Sequence, residues 1–237
     1  MSITTVLFDL DGTLLSMDQD TFLNEYFRQL ATCMTRFHCD PKATIDALEA
    51  GVVAMAKNDG CCSNEELFWK VFSELLGSDA EKCRPGLESF YENEYQLTKC
   101  TCTANPEAAE IIAKLKAAGV RTVLATNPFF PRIATESRMR WGGMKPEDFE
   151  LYTTFENSSH CKPNLDYYRE ILDKLGVKPE ECVMIGNDVS EDMIAEQLGM
   201  KVFLLTGCLI NRENKDISAY PHGGFKELNN FLDQILN

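Results

Sequence analysis

Apolar residues recur along the chain in two rhythms. Residues 3–8, Ile-Thr-Thr-Val-Leu-Phe, form a short apolar run that stops at Asp9 and turns at Gly12 and Thr13, the pattern of a short buried strand. From about Asp20 to Tyr95 no comparable run occurs. Apolar residues return there at helical spacing, predicting helices over 20–37 (Phe22, Tyr26, Phe27, Leu30), 41–57 (Ile45, Leu48, Val52, Val53), 64–76 (Leu67, Phe68, Val71, Leu75) and 80–97. Asp40-Pro41 and Ser63-x-x-Glu66 have the form of helix starts, the second a capping box. Asn58-Asp59-Gly60 reads as a loop.

From about residue 103 the rhythm alternates. A helix over 106–118 ends at Gly119 and is followed by a strand over 121–125, a helix over 131–141 and an extended stretch over 149–155. Then come a helix over 164–175, a strand over 182–186, a helix over 190–198, a strand over 201–205 and a last helix over 225–236. Strands alternating with helices imply an α/β fold, a Rossmann-like parallel sheet with helices on both faces. The earlier helices are then an inserted all-α cap. The expected division is a core of residues 1–17 and 98–237 with a helical cap over 18–97.

Composition narrows the partners. With 237 residues, 44% of them hydrophobic, the chain can bury one sizeable core or a core plus a smaller domain. Its net charge is -14, from 37 acids against 23 bases, so it is repelled by phosphate backbones and anionic membranes. Nucleic acid and membrane are therefore not expected partners. The N-terminal run has no basic segment before it and meets an acid at position 9, unlike a signal peptide. No stretch approaches the roughly 20 apolar residues that span a bilayer. The expected location is cytoplasmic. Ten cysteines without a CxxC pair then read as free thiols packed as small hydrophobes. Cys100-Thr101-Cys102 lacks the second pair that a soft-metal site needs.

The polar residues that matter fall at strand ends. Asp9 and Asp11 follow the first strand, Thr126 and Asn127 follow the strand over 121–125, and Asn187, Asp188 and Asp192 follow the strand over 182–186. Lys162 lies in the loop before the helix over 164–175. In parallel sheets ligands sit beyond the carboxyl ends of the strands, so these groups converge on one edge. They supply carboxylates for a hard cation, and a hydroxyl and an ammonium for phosphoryl oxygens.

These residues resemble the four motifs of the haloacid dehalogenase superfamily, in its phosphatase-like branch. Asp9, Asp11 and Thr13 match its Asp-x-Asp-x-Thr. Thr126 matches the hydroxyl that ends a strand, Lys162-Pro163 the lysine motif, and the run Gly186 to Asp192 the late acidic cluster. The motifs stand in the family's order around a cap-sized helical insertion. The resemblance implies a Mg²⁺-dependent phosphatase acting on a small phosphorylated metabolite. Asp9 is the nucleophile, Asp11 the general acid and base, and Thr126 and Lys162 stabilise the phosphoryl group. Asn127 and Thr13 are further candidates for substrate binding, and Asp9, Asp11, Asp188 and Asp192 for the metal site. Between Asn187 and Asp188, the carboxylate is the better Mg²⁺ ligand. Asp192 alternatively orients Lys162, or offsets a helix dipole.

Asp11 speaks against a dehalogenase, which needs no acid at that place. A phosphomutase of a sugar phosphate uses the same two aspartates and is the alternative; a non-catalytic phosphate-binding regulator on the same fold is a further one. His160, Cys161 and His222 read as a solvated loop residue, a packed thiol and part of a plain loop. The aromatic residues Phe22, Tyr26, Phe68 and Trp69 read as core packing. Met17 and Phe22, just after the first motif, are the first candidates for substrate contact from the helical insertion. The leaving group and the oligomeric state are not written in these motifs.

Overall fold

The computed structural model describes residues 2–236. The chain runs β1 (Thr5–Phe8), β2 (Leu15–Met17), α1 (Gln19–Arg36), α2 (Pro41–Ala56), α3 (Asn64–Leu76), α4 (Asp79–Glu92), a 3-10 stretch (Glu94–Thr101) and β3 (Cys102–Ala104). It continues through α5 (Pro106–Ala117), β4 (Arg121–Leu124), α6 (Arg132–Trp141), β5 (Leu151–Tyr152), α7 (Leu165–Leu175) and β6 (Cys182–Gly186). A further 3-10 stretch (Met193–Leu198), β7 (Lys201–Leu205), β8 (His222–Gly223) and α8 (Phe225–Leu236) complete it, with two single 3-10 turns at Pro146–Asp148 and Pro179–Glu181 on the way.

Six strands form a parallel sheet in the order β5-β4-β1-β6-β7-β8, the expected α/β architecture. Successive side chains of a strand point to opposite faces, and here both faces are covered. Leu7, Val123, Met184 and Val202 share one core with Tyr168 and Ile171 of α7. Val6, Phe8, Leu124 and Ile185 share the other with Ile111 and Ile112 of α5 and Leu228 of α8. β1 is buried throughout, which is why its sequence reads as an apolar run. Its register positions the chemistry. Phe8 pairs with Leu124 on one side and Ile185 on the other, so the residues that follow all three strands emerge at one level.

Helices α1 to α4 lie between β2 and β3, which pair antiparallel from Leu15↔Ala104 to Met17↔Cys102. Their starts follow the sequence signals. Asp18 caps α1 by accepting from Thr21, and Asp40 caps α2 by accepting from Lys42 and Ala43. Ser63 and Glu66 make both arms of a capping box on α3. The first turn of α3 is also tied to the loop before Lys162: the Asn64 and Glu65 N–H groups donate to Ser158 and Phe155 carbonyls, at 2.8 and 2.9 Å.

Four expectations need amendment. The helix expected over 80–97 stops at Glu92, where Asn93 leaves helical geometry at φ -119° and ψ -83° and the 3-10 stretch over Glu94–Thr101 takes over. The helix expected over 190–198 is a shorter 3-10 stretch over Met193–Leu198, preceded by a turn in which the Asp188 carboxylate accepts the Ser190 and Glu191 N–H groups. The ribbon of β2 and β3 escaped notice because three residues are too few to display a period, and His222–Gly223, expected as loop, adds an edge strand beside β7. Finally, Cys39 and Cys83 form a disulfide between the end of α1 and α4, with Cα atoms 5.9 Å apart, while the other eight cysteines are free as expected.

Candidate active site

Asp9 leaves β1 with its N–H bonded to the Ile185 carbonyl at 2.9 Å, which fixes its backbone to β6. Lys162 Nζ donates to Asp9 Oδ1 at 3.0 Å and to Asp192 Oδ1 at 2.6 Å. The other Asp192 oxygen accepts the Asp188 N–H at 2.9 Å, so both of its oxygens are engaged by protein donors. Gly186 makes room for this carboxylate, since a Cβ there would overlap it. Burial works against the charge on Lys162, but Asp192 and then Asp9 more than offset it and hold its ammonium well above the usual lysine range. The same burial pushes Asp192 upward, against the opposing pull of the charged lysine.

Thr126 is buried at the end of β4, with its carbonyl fixed by the Thr153 hydroxyl at 2.6 Å and the Tyr167 hydroxyl at 2.9 Å. Asn127 Nδ2 donates to Glu191 Oε2 at 3.0 Å, while Asn127 Oδ1 is buried without a partner. Thr13 donates to Asn187 Oδ1 at 2.9 Å, and Asn187 Nδ2 donates to the Cys208 carbonyl at 2.7 Å. Gly12 sits at φ +86°, and a Cβ on it would run into Asn187. Asn187 is thus held by protein on both ends of its amide.

Asp11 has a neighbour that motif reasoning missed. Arg138 of α6 is fully buried, with Nε 3.0 Å from Asp11 Oδ1 and Nη1 donating to the Tyr95 hydroxyl at 2.7 Å. Its guanidinium also lies 4.3 Å from the centre of the Phe130 ring. Nε and Asp11 Oδ1 are close without being aligned as a hydrogen bond, and Nη2 has no partner. Burial pushes the Asp11 carboxyl up, Arg138 opposes this, and Asp9 adds to it. A signal was present in the sequence. Ala134, Arg138 and Trp141 share one helical face, and α6 buries all three, so a charge lies on an apolar stripe.

Over this floor a cavity of about 860 Å³ opens between the strand ends and the inserted helices. Asp9, Asp11, Thr126, Asn127, Asn187, Asp188 and Asp192 all border it. Its other walls are mainly apolar, with Phe22 and Tyr26 of α1, Val52 of α2, Trp69 of α3 and Phe130 before α6, and carry several glutamates and two arginines besides. Met17 and Phe22 border it, as expected. Tyr26, Phe68 and Trp69 do so too, and their expected role as core packing is half of what they do. His160 lies elsewhere, with Nδ1 3.2 Å from Glu170 and its ring against Gly60. Burial pushes the Cys161 thiol up to about 12, the behaviour of a packed thiol.

Among the described residues, no three His, Cys, Asp or Glu side chains converge as a metal cluster. Two carboxylates, Asp9 and Asp188, border the cavity and are each 8% exposed. That donor set fits Mg²⁺, which binds through one or two carboxylates and takes water or phosphate oxygens for the rest.

A sequence model described as haloacid dehalogenase-like hydrolase matches residues 3–199. The Glyceraldehyde 3-phosphate phosphatase of Methanocaldococcus jannaschii is 26% identical over 230 residues, covering 95% of each chain. The Pyrophosphatase PpaX of Bacillus cereus is 24% identical over 213 residues, covering 90% of this chain and 87% of that one. In structure, the chain is similar to a predicted phosphoglycolate phosphatase from Haemophilus somnus 129PT, with a TM-score of 0.59 and 16% identity over 98% of each chain. At that identity the likeness is one of fold.

Proposed function

The chain belongs to the haloacid dehalogenase-like hydrolases, and from that premise we propose that it is a Mg²⁺-dependent phosphatase working through an aspartyl-phosphate on Asp9. The observation that carries this reading is a pair of carboxylates in unlike surroundings at one sheet edge. Asp9 is held by the Lys162 ammonium, while Asp11 sits in a buried setting that favours its protonated form. A carboxylate bonded to an ammonium is placed to attack, and a carboxyl that keeps its proton is placed to deliver it.

Asp9 attacks the phosphorus, and the bond to the leaving alcohol breaks as Asp11 delivers its proton to that oxygen. Asp11 then takes a proton from water, whose oxygen attacks the aspartyl-phosphate and releases inorganic phosphate, restoring both aspartates. Lys162 offsets the charge on Asp9 and the phosphoryl group, and Thr126 with Asn127 donates to phosphoryl oxygens. We assign Asp9, Asp188 and the Asp11 backbone carbonyl to the ion. When bound, Mg²⁺ neutralises phosphate charge that would otherwise repel Asp9. Asp192 holds Lys162, and Thr13 holds Asn187, rather than touching ion or substrate. Residues 18–97 act as the cap that closes over the site.

The phosphomutase alternative loses ground because a sugar retained through two half-reactions needs polar walls, and these are mainly apolar. A cytoplasmic location fits the eight unpaired cysteines. The Cys39–Cys83 bond departs from it, and alkylation of non-reduced protein followed by mass measurement tests whether that bond forms in cells. The phosphatase reading is tested by phosphate release from acetyl phosphate, a small and reactive donor. Release is expected with Mg²⁺ and lost with excess chelator. Purified protein that releases none under either condition would overturn the reading.

A further inference from the structure

The upper walls of the cavity are mainly apolar, and most of their charged groups are acids. Six large hydrophobic side chains are exposed among the described residues, and three of them, Leu23, Val53 and Ile133, border this one cavity. An exposed apolar cluster in a concave site marks a ligand surface rather than chance. Phe22, Tyr26 and Phe130 meet edge to face deeper in, with ring centres 5.7 to 6.3 Å from Phe130. The Tyr26 hydroxyl is bonded to that of Tyr91 at 2.8 Å, so its polar tip is already partnered.

Charge points the same way. Away from the floor, the cavity is bordered by five glutamates, Glu49, Glu65, Glu88, Glu92 and Glu156, against two arginines. Arg84 lies 4.4 Å from the Trp69 ring and 3.4 Å from Glu88, and Arg212 donates to Gln19 at 3.1 Å. A second phosphate or a carboxylate on the substrate would meet this net negative charge. A volume of about 860 Å³ lies at the upper end of pockets that enclose drug-sized ligands, far beyond a three-carbon sugar phosphate.

Resting on the phosphatase reading, we infer that the substrate is a phosphate monoester of a large, mainly apolar alcohol with no second anionic group. The phosphate sits on the floor and the alcohol lies along Phe22, Tyr26, Val52, Val53, Trp69 and Ile133.

The test is a series of n-alkyl phosphates from ethyl to octyl, whose leaving groups have nearly equal intrinsic reactivity. With Mg²⁺, kcat/KM is expected to rise by about threefold per methylene until the cavity is filled. Phosphoglycolate and hexose bisphosphates should fall below octyl phosphate. Val53→Glu is expected to lower the octyl-to-ethyl ratio by about tenfold, whereas Leu75→Glu, exposed on α3 but away from the cavity, leaves the ratio unchanged. Titration calorimetry on the Asp9→Asn protein gives a readout without turnover: octyl phosphate should bind more tightly than ethyl phosphate. A flat chain-length series, equal affinities, or preference for phosphoglycolate would overturn the inference while acetyl phosphate hydrolysis leaves the phosphatase reading standing. Loss of acetyl phosphate hydrolysis beside tighter octyl binding would overturn the phosphatase reading and leave the apolar site.

Discussion

At the carboxyl ends of β1, β4 and β6, polar side chains hold one another: Lys162 is held by Asp9 and Asp192, Asn187 by Thr13, and Asp11 lies against Arg138. Across the same cavity, α1 to α3 present Leu23, Val53 and Phe68, apolar side chains with no polar group to hold in place. The difference teaches how the two surfaces work. A floor whose dipoles are fixed before substrate arrives has no reorganisation to undergo at the moment of reaction. A wall of dispersion contacts imposes no such geometry and selects by size and by the absence of charge. On the proposed reading, chemistry and specificity are thereby separated in space.

The sharpest way to break this division is at the nucleophile. Asp9→Asn is expected to lower acetyl phosphate hydrolysis by about 10⁴-fold or more, as loss of a covalent nucleophile does. Near-normal phosphate release by that variant would remove Asp9 from the centre of the floor.

Arg138→Met comes next. It removes the fully buried partner of Asp11, which is itself partly exposed, and the donor to the Tyr95 hydroxyl, a change expected to cost about 3 kcal/mol of stability. A lower urea midpoint should accompany a lower kcat for acetyl phosphate with little change in KM. If Arg138 acts by holding Asp11, the change adds little in the Asp11→Asn background, and fully additive losses of kcat would separate the two residues.

The smallest effect is expected at Thr13. Thr13→Val leaves the buried Asn187 oxygen without its 2.9 Å donor, at a cost of about 1–3 kcal/mol. Thermal unfolding should show it, with KM for ethyl phosphate nearly constant. A large rise in KM without loss of stability would return Thr13 to direct contact with substrate.

Much of the floor was legible because its residues are chemically unusual where they stand. An acid that ends an apolar run, as Asp9 does, or a hydroxyl and an amide that follow a buried strand, as Thr126 and Asn127 do, have few structural reasons to be there. The walls were legible only at their entry, where Met17 and Phe22 follow the first motif; Tyr26 and Trp69 recur at helical spacing whether the stripe faces a core or a cavity. Arg138 fell between the two: its helical face could be read, but its partner in the first motif could not.

By itself, the sequence determined the alternation of strands and helices, and with it a parallel sheet whose strand ends collect Asp9, Asp11, Thr126 and the acids after Gly186. Periodicity and turn chemistry are local, so they survive in one dimension. Tertiary structure alone decided that the Asn187 amide is taken by Thr13 and the Cys208 carbonyl, that Asp192 gives both oxygens to protein donors, and that Arg138 lies against Asp11. It also decided that the inserted helices enclose a large apolar space over the floor. Those outcomes depend on distances between segments far apart in the chain, which close packing sets and no local pattern records.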